Sequence, residues 1–156
     1  MVTDSPAAGC KICNDLGTDR MINDYKEDFV AVVRENYSGA DIILDIVGGP
    51  YVQRNIKAAR HNGRIVQLAF TLGSRIEVDL MPIMLKRLVY TGSTLRTWSQ
   101  AFKAEVARQL ETRVWLHIAE GLINSVVDTV FPLAEAEAVH HLMESAGHNG
   151  KMVLQP

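Results

Sequence analysis

The sequence has no long apolar run and no cluster of basic residues, and each absence excludes a class of protein. No run approaches the roughly 20 apolar residues of a membrane helix, and Met1 to Pro6 lacks the basic-then-apolar form of a signal peptide. The net charge is −2 with the histidines neutral, whereas nucleic-acid binding needs clustered Lys and Arg to neutralise phosphates. These features predict a cytoplasmic protein with neither a nucleic-acid nor a membrane partner.

Cysteine is scarce as well, with only Cys10 and Cys13, which form a single Cys-x-x-Cys motif. A zinc site would need two more ligands at matched spacing, and a redox motif would have a strand directly before it. Ser5 and Pro6 are instead typical of a helix cap and first turn, which would place both cysteines and Leu16 along one helical face. We interpret the cysteines as two small core-facing thiols.

The histidines do not make a better metal site. His140 and His141 are adjacent, and neighbouring residues on a helix point about 100° apart. We therefore expect no metal ligands among them.

What the sequence does contain is the composition of an ordinary globular domain. Hydrophobic residues make up 47% and charged residues 22% of the 156 residues. These values allow a sizeable buried core and argue against disorder.

The most informative stretch runs from Gly39 to Pro50. Its middle, Ile42 to Val47, is apolar at every position except Asp45. A strand that is apolar on both faces is expected in the buried interior of a parallel sheet, and we interpret Asp45 as a hydrogen-bonded strand-end carboxylate rather than a base. Gly48 and Gly49 then form a turn before a helix, as in half of a βαβ unit. Ligands of such sheets bind just beyond the carboxyl ends of the strands, so this turn is the first candidate site.

Strands and helices alternate with short links around this stretch, which predicts a parallel α/β sheet with helices on both faces. The pattern Asp24-x-x-Glu27 predicts a capping box for the preceding helix. The helix that Pro50 opens is expected to end at Asn62-Gly63. A strand from Arg64 to Phe70 should follow.

The second half of the chain predicts an edge strand and the longest helix. Leu88 to Ser93 suits an edge because Gly92 and polar residues interrupt it, and an edge offers unpaired backbone groups to a symmetric partner. We therefore expect a homodimer that continues the sheet there. Ser99 should cap the long helix.

Further on, Pro132 should begin another helix between two short strands. These strands, Val126 to Phe131 and Lys151 to Leu154, should pair with each other or lean on another subunit, because lone strands are not stable in water.

Five motifs occur here in an order that another group of proteins shares. They are Ile42-Ile-Leu-Asp-Ile-Val-Gly-Gly49, Asn62-Gly-Arg-Ile-Val66, Leu85-Lys-Arg-Leu-Val-Tyr-Thr-Gly-Ser-Thr-Leu95, Phe131-Pro-Leu-Ala134 and Gly150-Lys-Met-Val-Leu154. Together they resemble the C-terminal half of quinone oxidoreductases of the zinc-free medium-chain dehydrogenase/reductase superfamily, in its zeta-crystallin-like branch. The resemblance covers nearly the whole chain.

The resemblance implies a partial Rossmann-type parallel sheet with flanking helices, plus a C-terminal helix and strands that belong to the family's catalytic domain. Residues 1–125 would form the truncated nucleotide-binding domain, and residues 126–156 the segment of the catalytic domain. A full member also has an N-terminal catalytic domain and a glycine-rich phosphate turn. No Gly-x-Gly-x-x-Gly occurs in this sequence.

The cofactor that the resemblance implies is NADP, as NADPH. Members often place a lysine in a following helix to bind the 2′-phosphate, and this position falls near Gly9 in the present sequence. The choice between NADPH and NADH therefore stays open. The alternative for the glycine pair is that it only allows positive φ in a turn. The residues implied around the cofactor are Tyr25 (or Asp24 beside it) near the adenosine phosphate, Val47, Gly48 and Gly49 under the riboses, Ala69, Phe70 and Thr71 beside the nicotinamide, and Ser93, Thr94 and Leu95 at the carboxamide end.

By resemblance, the function is hydride transfer from NAD(P)H to a quinone or an activated carbonyl substrate. No catalytic acid or base is assigned, because the domain that encloses the substrate is not in the sequence. The alternative is a non-catalytic truncated remnant that serves as a dimerisation or weak nucleotide-binding module.

Overall fold

A computed structural model describes residues 1–4, 7–145 and 148–156. A 3-10 turn, Leu133–Glu135, precedes the last helix. The helix cap predicted at Ser5 and Pro6 lies outside the described residues. The elements in chain order are β1 (Val2–Asp4), α1 (Ala7–Asp15), β2 (Met21–Asn23), α2 (Phe29–Tyr37), β3 (Ala40–Asp45), α3 (Tyr51–Ala58), β4 (Ala59–Gln67), α4 (Met81–Lys86), β5 (Val89–Gly92), α5 (Gln100–Arg113), α6 (Trp115–Ala119), β6 (Val127–Pro132), α7 (Ala136–Glu144) and β7 (Lys151–Gln155).

The chain divides into two compact units. The first comprises Met1–Pro6 and Thr18–Trp98, and the second comprises Ala7–Gly17 and Ser99–Pro156. The boundary predicted after residue 125 separates the nucleotide-binding domain from the segment of the catalytic domain, as these domains are defined in full-length family members. It stays a prediction.

In the described part of the first unit, the strands form two parallel sheets. One pairs β1 with β2, and the other has the order β3-β4-β5. Parallel strands linked by helices confirm the predicted α/β class. β5 lies at an edge, as predicted, but β3 lies at the opposite edge rather than in the middle of a sheet.

Helices α2, α3 and α4 pack on one face of the three-stranded sheet. Ile43 and Ile65 point to this face, where Ile65 is fully buried. On the other face Ile42, Leu44 and Ile46 are 67%, 67% and 58% exposed. The prediction that β3 is buried on both faces is therefore wrong, because the helices of this unit cover a single face of a sheet that ends at β3.

The end of α3 also differs from the prediction. The helix ends at Ala58 rather than at Asn62-Gly63, and β4 starts at once and runs to Gln67 rather than to Phe70. The Lys86 Nζ explains the early end, since it donates to the carbonyl oxygens of Ile56, Lys57 and Ala59 at 2.8–3.0 Å. These carbonyls therefore have a partner without another helical turn.

The predicted capping box at Asp24 and Glu27 is wrong as well. Asp28 is the cap of α2, and its Oδ1 accepts from the Val30 N–H at 3.1 Å. Glu27 instead pairs with Arg20, so both carboxylates that the pattern singled out are used elsewhere.

In the second unit, β6 and β7 pair with each other in parallel, which confirms one of the two predicted outcomes. Pro132 ends β6 instead of beginning a helix, because its extended backbone (ψ 144°) pairs with Gln155 and α7 starts only after the 3-10 turn. Ser99 caps α5 as predicted, accepting from the Phe102 N–H at 3.2 Å. No residue of α5 or α6 is buried.

The cysteines lie on α1, and they are half-buried and form no disulfide. None of the described helices combines the length and apolar character that crossing a membrane requires.

Candidate functional site

Three parallel strands of the first unit end at the same level. Asp45 of β3 pairs with Gln67 of β4, and Gln67 pairs with Gly92 of β5. The loops that follow these strands therefore leave the sheet along one rim, at the carboxyl ends where ligands of α/β sheets bind.

Asp45 holds the turn that follows β3. Its Oδ1 accepts from the N–H groups of Val47 (2.7 Å) and Gly48 (3.0 Å), and its Oδ2 accepts from the Asn55 side-chain amide at 2.9 Å. Asp45 and Asn55 are both buried. This confirms that Asp45 is a hydrogen-bonded strand-end carboxylate, and it adds Asn55 as a partner that the sequence did not reveal.

The glycine pair is needed for the packing of the chain itself. Gly48 and Gly49 have φ of +68° and +52°, which disfavours other residues. A Cβ on Gly48 would lie 2.5 Å from the Phe70 ring, and one on Gly49 would lie 2.9 Å from Leu72. Turn geometry and close packing therefore account for both glycines, as the alternative interpretation expected.

The turn of residues 47–49 and the loop of residues 69–73 form one continuous surface. The Leu72 N–H donates to the Val47 carbonyl at 2.8 Å, and the Gly49 N–H donates to the Gly73 carbonyl at 2.9 Å. The Thr71 hydroxyl lies 3.4 Å from the Val47 carbonyl oxygen. Six of the predicted site residues are thus brought together: Val47, Gly48, Gly49, Ala69, Phe70 and Thr71.

Gln67 and Tyr90 connect this surface to the loop that follows β5 and begins at Ser93. The Gln67 amide donates to the carbonyls of Asp45 (3.2 Å) and Ala69 (2.5 Å) and accepts from the Tyr90 hydroxyl (2.7 Å). The Gln67 carbonyl accepts from the Ser93 N–H at 3.1 Å. Burial, followed by the charge of Asp45, raises the pKa of Tyr90 above its usual value. The sequence signal for Gln67 was one polar residue inside the apolar run from Ile65 to Phe70.

The remaining predicted site residues are Thr94, Leu95 and Tyr25. Thr94 and Leu95 follow Ser93 and are exposed. Tyr25 is 81% exposed, and its N–H donates to the Asn23 side chain. Within the part of the chain that the structure describes, no hydrogen bond joins Tyr25 to residues 47–49, so their common role stays a prediction.

Asp24, beside Tyr25, connects the end of β2 to the start of α3. It accepts a hydrogen bond from the Tyr51 hydroxyl. Burial, followed by Asp24, raises the pKa of Tyr51. The Arg54 guanidinium lies 4.2 Å from the centre of the Phe29 ring and 3.2 Å from Asp28. These contacts join the first turn of α3 to the start of α2.

The polar and apolar groups of the rim suit the ring and ribose of a dinucleotide better than its pyrophosphate. The N–H groups of Val47, Gly48 and Gly49 are all used within the chain, so this turn has no donors to offer a pyrophosphate. Phe70 and Leu95, 44% and 57% exposed, offer apolar surface, and Thr71 and Ser93 offer hydroxyls. Such a surface suits a flat ring and a ribose. In the described part of the chain, no three His, Cys, Asp or Glu residues are grouped as metal ligands would be.

Comparison with known proteins agrees with the fold. The chain is 34% identical over 158 residues to L-threonine 3-dehydrogenase of Symbiobacterium thermophilum, covering 94% of this chain and 40% of that protein. It is 24% identical over 153 residues to quinone oxidoreductase of Mus musculus, covering 94% and 44%. The solved structure of a candidate NADPH:quinone reductase from Mesorhizobium loti superposes with a TM-score of 0.81 at 23% identity, covering 100% and 45%.

The chain thus spans less than half the length of each of these proteins. A family model described as zinc-binding dehydrogenase matches residues 16–154, which is most of the chain. The chain therefore belongs to the zinc-binding dehydrogenase family of the medium-chain dehydrogenase/reductases. This confirms the resemblance to that superfamily, whereas the zinc-free character stays a prediction.

Proposed function

We propose that this chain supplies the nicotinamide-facing wall of an NAD(P)H-dependent oxidoreductase that reduces a quinone or an activated carbonyl compound. The observation that carries the proposal is the joining of residues 47–49 with residues 69–73 at the carboxyl ends of β3 and β4. Membership of an oxidoreductase family supports it, and so do the names of the mouse and Mesorhizobium proteins.

In this proposal, Phe70 and Leu95 shield one side of the nicotinamide ring from water, and the hydroxyls of Thr71 and Ser93 hydrogen-bond polar groups of the cofactor. The nicotinamide, when bound, supplies the hydride. The protein contributes positioning and an apolar surface. NADPH is the proposed cofactor, with NADH as the competing choice, and a cytoplasmic location is part of the proposal and rests on the sequence alone.

The test is a titration of the chain with NADPH and, separately, with NADH. Binding is monitored through the fluorescence of the reduced nicotinamide and through the melting temperature of the chain. A ligand at 100 times its Kd should stabilise the folded chain by about 2.7 kcal/mol. Thr71→Ala should weaken binding, because it removes a hydroxyl that we propose bonds the cofactor. The contacts of this hydroxyl within the chain are long (3.4 Å), so its loss should affect the fold little. Thr112→Ala on α5, in the other unit, is the matched control.

Activity is tested separately, as oxidation of NADPH with phenanthrenequinone. Binding without turnover would limit the chain to a cofactor-binding wall. If neither nucleotide changes fluorescence or melting, the cofactor assignments fail for this chain.

The second candidate is a non-catalytic module, and one observation favours it. Every N–H of the 47–49 turn is satisfied inside the chain, so the turn is stable without a ligand. This candidate predicts no response to either nucleotide.

A homodimer through β5 is also part of our proposal. Its support is that β5 is an edge strand with all four residues exposed, which leaves one side of its backbone open to a symmetric partner. Analytical ultracentrifugation should show a concentration-dependent dimer, and Gly92→Pro on this strand should weaken it. The Ser93 N–H bonds the Gln67 carbonyl of β4, so the Gly92 N–H next to it lies on the open side of the strand. A stable monomer at all concentrations would contradict this part.

A further inference from the structure

Gln67 bonds a residue in or next to each of the three loops that follow β3, β4 and β5, although nothing in the comparisons assigns it a role. It is 4% exposed. Its side-chain amide donates to the carbonyls of Asp45, which precedes the first loop, and of Ala69, in the second. Its backbone carbonyl accepts from Ser93, in the third. A buried side chain with this many partners has one preferred position.

The chemistry of the partners also fixes which way round the amide lies. The carbonyl oxygens of Asp45 and Ala69 can only accept, so the NH₂ group must face them. The Tyr90 hydroxyl, 2.7 Å from Gln67 Oε1, supplies the donor on the opposite side. Tyr90 belongs to β5, so the neighbouring strand supplies the hydrogen bond that holds the Gln67 amide oxygen.

We propose that Gln67, held by Tyr90, is a positioning residue that sets the spacing between the 47–49 turn and the 69–73 loop and thereby the position of the nicotinamide. The second part rests on the proposed function, whereas the first concerns the apo protein. Gln67 touches no cofactor and no reacting atom in this role.

The first measurement uses the chain without ligand. Gln67→Met has similar volume and removes the side-chain hydrogen bonds, so amide exchange at Gly49 and Leu72 should be faster by about tenfold, the loss of one ordinary hydrogen bond. Their N–H groups make the bonds between turn and loop. Exchange at Ile65 inside β4 should stay slow. Gln109→Met is the matched control, because the Gln109 side-chain amide donates to Glu105 on the exposed face of α5.

The second measurement uses NADPH, followed by nicotinamide fluorescence at a temperature well below melting. Gln67→Met should weaken binding by about tenfold. Tyr90→Phe, which keeps the amide and removes the hydroxyl bonded to its oxygen, should act in the same direction and less strongly. A purely structural role would lower the melting temperature of both variants without changing the affinity of the folded protein.

The outcomes separate this inference from the proposed function. Unchanged exchange at Gly49 and Leu72 in both folded variants would overturn the positioning role. Faster exchange with unchanged NADPH affinity would overturn its link to the nicotinamide. If the unmodified chain binds neither nucleotide, the proposed function fails, that link fails with it, and the exchange data decide the positioning of the loops.

Discussion

Replacing Asp45 should show how much of the stability of the first unit depends on the turn after β3. Asp45→Ala leaves the N–H groups of Val47 and Gly48 and the Asn55 amide without their acceptor. Each such loss costs about 1–3 kcal/mol, and removing a buried charge offsets part of the sum, so we expect the free energy of unfolding to fall by about 3–5 kcal/mol. Asp45→Asn keeps one acceptor oxygen, and the Asn55 amide can turn its own oxygen toward the new NH₂, so the loss should be about 1–2 kcal/mol.

Urea unfolding followed by circular dichroism measures both losses. Asp41→Ala, four residues earlier, is the matched control, because this carboxylate is exposed and its ion pair with Arg60 at 3.0 Å is worth about 0–1 kcal/mol. A double-mutant cycle of Asp45→Ala with Asn55→Ala should give a coupling energy above about 0.5 kcal/mol. If Asp45→Ala costs no more than Asp41→Ala, the carboxylate does not hold the turn and the reasoning is refuted.

Four further predictions concern other parts of the chain. Burial and Asp45 raise the pKa of Tyr90 above 10.0, so its contribution to stability is present below pH 10.0 and is lost as the pH rises through the folded-state pKa. At alkaline pH the free energy of unfolding should therefore fall more steeply with pH for the unmodified chain than for Tyr90→Phe, and equal slopes would contradict this. Lys86→Met should cost about 2 kcal/mol in urea unfolding through the three carbonyls it leaves, and Lys57→Met much less. Leu44→Thr should cost less than about 1 kcal/mol and reduce aggregation in light scattering, whereas a loss above about 2 kcal/mol would show that this face is covered in solution. Ser99→Ala should lower the thermal stability of α5 by about 1 kcal/mol, and no change would mean that the cap is not formed.

The part of the fold that could be predicted depends on short-range patterns. The apolar run before Gly48 predicts a strand, and the glycine pair predicts a turn with positive φ. Gly92 and the polar residues near it predict an edge strand. The structure confirms all three. Asp45 was also interpretable, because a lone carboxylate at the end of a strand needs donors, and the nearest ones are the backbone N–H groups of the turn.

The part that could not be predicted depends on contacts between distant residues. Lys86 ends α3 from about 30 positions along the chain, and no helix-stop pattern reports such a side chain. Asn55 and Gln67 look like ordinary polar positions of a helix and a strand, and their roles appear only when β3, α3 and β4 are assembled. The exposure of Ile42 and Leu44 follows from the number of strands in the sheet, which the apolar run does not encode.

The break between the two parallel sheets has a consequence for how the first unit opens. β1 and β2 are three residues long each and hydrogen-bond only to each other among the described strands. Ile22 connects β2 to the rest through its packing with Phe29 and Val33 of α2, and no backbone ladder spans the break. The N-terminal pair of strands should therefore behave as a separate cooperative unit, which exchanges its amides at lower free energy while the β3-β4-β5 rim stays closed.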